Sequence, residues 1–223
     1  MEQTIGELLP HAVGVALSPF PIVAVILLLT TGKSSHSLMF LLGWFAGLFG
    51  VAFGVVALEG VFADPDGGAS TTSGVLELVL GLMFLVFAVH SWRSQSTKGK
   101  KATTPGWMKA INNSTLLTSL GLGLLISIPN PPNFALSVTA GIIIVSAGLG
   151  TGEQLGAIGV YALIGSTLVA LPIILYFGFR SRADAILPDI RAWLVRENDT
   201  IMLVVFTILG AKFLGDSIQI LTG

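Results

Sequence analysis

Residues 110–152 read AINNSTLLTSLGLGLLISIPNPPNFALSVTAGIIIVSAGLGTG, 43 residues without Asp, Glu, Lys or Arg. A straight helix needs about 20 apolar residues to cross about 30 Å of hydrocarbon, so this run is too long for one unbroken crossing and just long enough for two. At its centre stand Pro129, Asn130, Pro131, Pro132 and Asn133. Proline gives a helix no N–H and its ring meets the carbonyl one turn back, so a continuous helix must break there. Whether the stretch is one broken crossing or two decides the fold.

The charges around it settle the choice. Five further segments are long and apolar: Ala12 to Thr31 with a start as early as Ile5, Leu38 to Leu58, Val75 to Trp92, Leu155 to Phe179 and Ile201 to Leu221. Ten of the eleven Lys and Arg residues fall in three connections: Lys33; Arg93, Lys98, Lys100, Lys101 and Lys109; and Arg180, Arg182, Arg191 and Arg196. The other connections carry Glu59, Asp64, Asp66 and Glu153 and no basic residue. Basic loops stay cytoplasmic, which places both termini outside. Two crossings within 110–152 would put the two richest basic loops on opposite sides; one broken crossing keeps them together.

Composition agrees with a membrane protein. Of 223 residues 53% are hydrophobic and 10% charged, with mean hydropathy +0.88, whereas soluble domains carry about 25% charge. Soluble, disordered and nucleic-acid-binding classes are thereby excluded. No cysteine is present, so disulfides, thiolate metal sites and thiol relays are excluded too. No P-loop appears, and neither a metal site nor a cofactor is expected. The opening residues include Glu2 and Glu7 and the first basic residue is Lys33, so the first hydrophobic segment is expected to be retained.

Laid on itself, the chain sets Ser18-Pro19-Phe20-Pro21 against Asn130-Pro131-Pro132-Asn133, each followed by an apolar half-helix and two more spans. Three crossings per half make the second copy enter from the opposite side. The expectation is an all-α integral membrane protein: six transmembrane helices in two inverted three-helix repeats, 1–92 and 114–223, joined by a basic linker 93–113, with the first and fourth helices broken by proline. Paired, Pro-interrupted segments point to a transport site near the midplane, where irregular backbone is tolerated only against protein or water. Ser18, Pro19, Pro21, Asn130, Pro131 and Asn133 are its candidate residues.

Charged residues supply the next candidates. Lys212 lies about halfway along the last span, where a cation costs roughly 3 kcal/mol on insertion scales. Asp216 follows at i+4 and neutralises it on one helix face, or else Lys212 meets a substrate anion with Asp216 modulating it. Glu77, His90, His11 and His36 read as interfacial. Gly43, Gly47, Gly50 and Gly54 in the second span, with Gly121, Gly156, Gly159 and Gly165 later, read as helix-packing positions; exposed small-residue faces also permit a homodimer. Trp92 and Trp107 flank a polybasic stretch, and Pro188 to Arg196 reads as a short helix with Ile190, Trp193 and Leu194 on one side, both suited to the anionic leaflet.

The run Ala16-Leu17-Ser18-Pro19-Phe20-Pro21-Ile22-Val23-Ala24-Val25-Ile26-Leu27-Leu28-Leu29, followed by Phe40-Leu41-Leu42-Gly43-Trp44, resembles the opening of the glycolipid-addressing, Sap-like family of the LysE exporter superfamily. Asn130-Pro131-Pro132-Asn133 resembles its second proline motif, with Pro132 where relatives commonly carry a polar or basic residue. The resemblance implies a transporter of the cytoplasmic membrane that moves a lipid, a glycolipid or its precursor by alternating access, with membrane lipids or a glycolipid as its partners. The rival is a small-solute exporter of amino-acid type. An intramembrane hydrolase would need Ser127 or Ser137 with His90, a pairing without support in the spacing. A scaffold anchoring a lipid-synthesis complex through the basic loops is the remaining alternative.

Overall fold

A computed structural model describes residues 1–58, 71–95 and 115–222. Regular structure among these residues is entirely α-helical: α1 (Glu2–Ala16), α2 (Pro19–Thr30), α3 (Ser34–Ala57), α4 (Thr71–Gln95), α5 (Leu116–Ser127), α6 (Pro131–Ser146), α7 (Thr151–Gly178) and α8 (Arg180–Thr222). α3, α4, α7 and α8 are each long and apolar enough to cross a bilayer, while α1–α2 and α5–α6 qualify only as pairs bent by 53° and 74°. The chain is a multi-pass membrane protein with four to six candidate spans. Glu59, Asp64, Asp66, Lys98, Lys100, Lys101, Trp107 and Lys109 lie outside the described residues, as does most of the expected linker 93–113.

The two bent pairs share one local grammar. In each, an extended N-cap residue precedes a proline at the first helical position: Ser18 (φ −63°, ψ 117°) before Pro19, Asn130 (φ −76°, ψ 108°) before Pro131. Proline suits that position because its missing N–H would have no intrahelical partner anyway. Each half-helix also ends on a left-handed glycine, Gly32 (φ 78°) after α2 and Gly148 (φ 60°) after α6, where a residue with a Cβ would be strained. α2 is sealed on nearly every side, with Val23, Ala24, Val25, Ile26, Leu28 and Leu29 buried. A short helix apolar all round belongs at the centre of a bundle.

Neighbouring residues fix the helix directions. Met1 lies beside Gly156 and Val15 beside Gly165, so α1 runs parallel to α7. Gly14 meets Leu136, and Thr4 and Glu7 share a cavity with Ile142 and Ser146, so α6 is antiparallel to α1. α8 is also antiparallel to α1, through Gly14 with Leu209 and the His11 and Phe213 rings 5.5 Å apart. α4 packs antiparallel along α8, from Gly74 beside Ile220, through Gly81 beside Leu214, to Ser94 Oγ donating to Asp199 at 2.9 Å. Successive spans therefore alternate in direction. Along α3, Gly43 faces Leu120, Gly47 faces Ser127, and Ala52 and Val55 face Gly141. α5 and α6 thus advance together along α3 despite their bend.

Close approach occurs where glycine permits it. A Cβ on Gly43 would overlap the Leu120 carbonyl, and one on Gly123 would overlap the Phe40 carbonyl and the Trp44 amide. Gly50, Gly54, Gly121 and Gly159, expected at helix interfaces, have nothing within 4 Å of such a Cβ. A second difference concerns Pro188 to Arg196, which forms no separate short helix. Pro188 sits within the continuous 43-residue α8, about 64 Å at 1.5 Å per residue, so its N-terminal part projects beyond any single crossing. There Leu187 and Leu194 are buried while Ile190 and Trp193 are exposed.

Candidate functional site

Two polar places emerge from this bundle. The first is the pair of breaks. Gly14, four residues before Ser18, lies against Leu136, three residues after Asn133, so the end of α1 packs on the start of α6. Ser18 and Asn133 are 2% and 1% exposed, and neither Ser18 Oγ nor Asn133 Nδ2 has a hydrogen-bond partner. Buried polar atoms are nearly always paired, so two orphans at equivalent breaks need a reason. Pro19, Pro21 and Pro132 are buried, Asn130 is half-buried and Pro131 exposed. Both N-cap side chains lack a capping bond.

Main-chain polarity around the breaks is partly absorbed locally. Leu17 N–H donates to Val13, Ser18 N–H to Val15, Ile128 N–H to Leu124 and Phe134 N–H to Asn130. Pro19 and Pro21 in α2, and Pro131 and Pro132 in α6, remove donors that the first helical turn would leave unsatisfied. The same missing N–H groups leave carbonyls one turn back without their usual helical donors, so main-chain as well as side-chain polarity is available at the breaks. Behind Asn133, Ser137 Oγ donates to the Asn133 carbonyl at 2.9 Å and lies 2.9 Å from the hydroxyl of fully buried Tyr161. With the serine proton so committed, Tyr161 donates to Ser137, and α7 braces the first turn of α6. Trp44, also fully buried, donates from Nε1 to the Gly165 carbonyl at 3.3 Å and ties α3 to α7.

The second place is a cavity of about 650 Å³ among α1, α4, α6 and α8. Its polar lining includes Thr4, Glu7, Glu77, Ser146, Lys212 and Asp216, with Gln3 and Gln219 beside them. Lys212 Nζ donates to Asp216 across one turn of α8, and both side chains stay about a third exposed. None of the six break residues lines this cavity or either of two grooves on the bundle surface. One groove, between α3 and α7, is almost wholly apolar and holds Leu42, Phe45, Leu163 and Leu171. The other lies along α4 and includes His90.

Two residues read as interfacial are buried among the helices rather than solvated. Glu77 is 3% exposed, and its Oε2 has no hydrogen-bond partner. His11 is fully buried, with Nδ1 3.1 Å from the Glu7 carbonyl and Nε2 unpartnered. Both lie within electrostatic reach of Lys212 and Asp216. The helical phase of the first segment carries the missed signal: α1 begins at Glu2, so His11 lies well inside it rather than at its edge. Ser127 Oγ is committed to the Leu124 carbonyl and Ser137 to Asn133, so neither hydroxyl is turned to His90. No group of three or more His, Cys, Asp and Glu suited to a metal occurs among the described residues.

A family model described as Sap, sulfolipid-1-addressing protein, aligns with residues 8–219. No curated protein and no solved structure matches.

Proposed function

The chain belongs to the sulfolipid-1-addressing protein family, and from that membership we propose that it moves a lipid, a glycolipid or a glycolipid precursor across or out of the cytoplasmic membrane by alternating access. Membership itself gives a role in lipid export or localisation; the mechanism rests on the breaks. In this reading residues 1–92 and 114–223 are inverted repeats, joined by the 93–113 linker, with both termini outside. Three features support it: the alternation of span directions, the packing of α5 along α3 as α1 packs along α7, and the matching Pro-started, Gly-ended half-helices.

One observation carries the proposal: Ser18 Oγ and Asn133 Nδ2 are held unpaired and buried at the starts of equivalent half-helices. Such groups cost stability unless a ligand or another conformation satisfies them. The described state is then the occluded one, with the breaks sealed, and rocking of one repeat against the other opens them to cargo. Ser18, Pro19, Pro21, Asn130, Pro131 and Asn133 form the passage, while Lys212 and Asp216 act at the separate cavity.

The test is a flip assay in proteoliposomes with a fluorescent-tailed glycolipid, scored by a membrane-impermeant quencher. Ser18→Ala with Asn133→Ala is expected to slow transfer about tenfold, the loss of roughly 1.4 kcal/mol of transition-state stabilisation. Unchanged transfer in a folded variant refutes the passage. The cavity's mixed charges, Lys212 beside Glu7, Glu77 and Asp216, favour a second reading as an amino-acid-type exporter; uptake of a radiolabelled zwitterion without glycolipid transfer would select it.

A further inference from the structure

The polar cavity has a construction the lipid passage does not require. Three carboxyl groups, of Glu7, Glu77 and Asp216, and the Lys212 side chain line a hollow whose remaining walls include Met1, Ile142, Ile143 and Ile220. Lys212 takes its partner from its own helix, Asp216, whereas Glu77 faces it from α4 with one oxygen unpaired. The register of α4 on α8 places Glu77 between Gly74, beside Ile220 and Leu221, and Gly81, beside Leu214, and so at the level of Asp216. Lys212 thus has two carboxyl groups within reach on two helices and is bonded to one.

We propose that Glu77, Lys212 and Asp216 form a proton-binding charge switch, distinct from the helix breaks, that couples proton movement to rearrangement of α4 against α8. With a proton on Glu77, the carboxylic acid is neutral and Lys212 is held by Asp216, the arrangement seen. When the proton leaves to water in the cavity, the Glu77 carboxylate draws the Lys212 ammonium across from α8, and Asp216, about a third exposed, is left to solvent. An exchange between same-helix and cross-helix ion pairs gives two discrete packings of one helix pair, the bistable element that coupling needs. The other titratable groups around Glu77 come from α1: Glu7 and the Met1 terminus in the cavity wall, and His11 behind it against Phe213. α6 contributes Ser146, whose hydroxyl is unpartnered, and no titratable group.

Absence of cysteine makes the test direct. Ser146→Cys in the otherwise native protein, held in nanodiscs, is reacted with a charged methanethiosulfonate from mildly acidic to mildly alkaline pH. Each rate is normalised to Thr71→Cys, an exposed position, to cancel the thiol's own titration. The normalised rate is expected to change about tenfold with pH, as a population shift between two states gives. Adding Glu77→Gln should hold it at the acidic plateau and adding Asp216→Asn at the alkaline one. A flat profile with Glu77 present overturns the switch, and an unaltered profile with Glu77→Gln removes Glu77 from it. Infrared difference spectra give a second readout: a protonated-carboxyl band lost on raising pH in the native protein and missing in Glu77→Gln; its persistence in that variant also overturns the assignment. Neither measurement uses a lipid substrate, so this proposal and the lipid passage fail independently.

Discussion

Among single residues, the clearest division is between glycines that touch something and glycines that do not. The sequence shows Gly43, Gly47, Gly50 and Gly54 as one stripe, yet a Cβ at Gly43 would overlap the Leu120 carbonyl and one at Gly47 the Ser127 hydroxyl, while Gly50 and Gly54 are open. Gly43→Ala is expected to destabilise by about 1–3 kcal/mol, the usual range for overpacking; Gly50→Ala should be neutral or slightly stabilising, since alanine is the better helix former. Thermal unfolding in detergent separates them, and equal behaviour would deny the close crossing of α3 and α5. Ser18 makes a second prediction. Its buried hydroxyl has no partner, so Ser18→Ala should leave stability unchanged or raise it while glycolipid transfer falls. A clear loss of stability would make the hydroxyl structural. The burial of His11 and Glu77 escaped the reading of the sequence because it depends on which helix face turns inward.

For the helices as elements, the decisive feature is how α2 and α6 start and stop. Proline pairs announce both starts in the sequence, and the structure places Ser18 and Asn130 before them in nearly the same backbone conformation. The ends are less legible, since Gly32 and Gly148 are two of 27 glycines, and only the backbone shows these two with positive φ among the described residues. A Cβ at either position would have no neighbour within 4 Å, so the penalty for a side chain there is conformational. Gly32→Ala and Gly148→Ala should each cost about 1–2 kcal/mol, and asparagine, which tolerates the left-handed region, should cost less. Equal melting of the alanine variants and the native protein would argue that these turns relax freely. α8 is the element least foreseen: Pro188 reads as a boundary, yet the helix runs through it because apolar Ala183, Leu187 and Leu194 find cover in the bundle.

The whole molecule is an arrangement of directions. Alternating spans put the start of α1 and the end of α8 on one side, and the basic residues Lys33, Arg180 and Arg182 on the other. An impermeant thiol reagent on intact cells is therefore expected to label Glu2→Cys and Thr222→Cys and to spare Ser34→Cys and Arg182→Cys until the membrane is opened; the reverse pattern would invert the orientation. Hydrophobic content, charge placement and two proline clusters were enough in the sequence alone to determine an all-helical membrane protein with paired interruptions, because a bilayer admits few ways to satisfy a backbone and basic residues record its sidedness. Which glycines touch, that Ser18 and Asn133 are sealed without partners, and that Glu77 on α4 meets Lys212 and Asp216 on α8 around a cavity were decided only by tertiary structure. In lipid, hydrophobicity does not distinguish one helix face from another, so the faces that meet are chosen by packing shape and polar partnership, and these exist only once the helices are assembled.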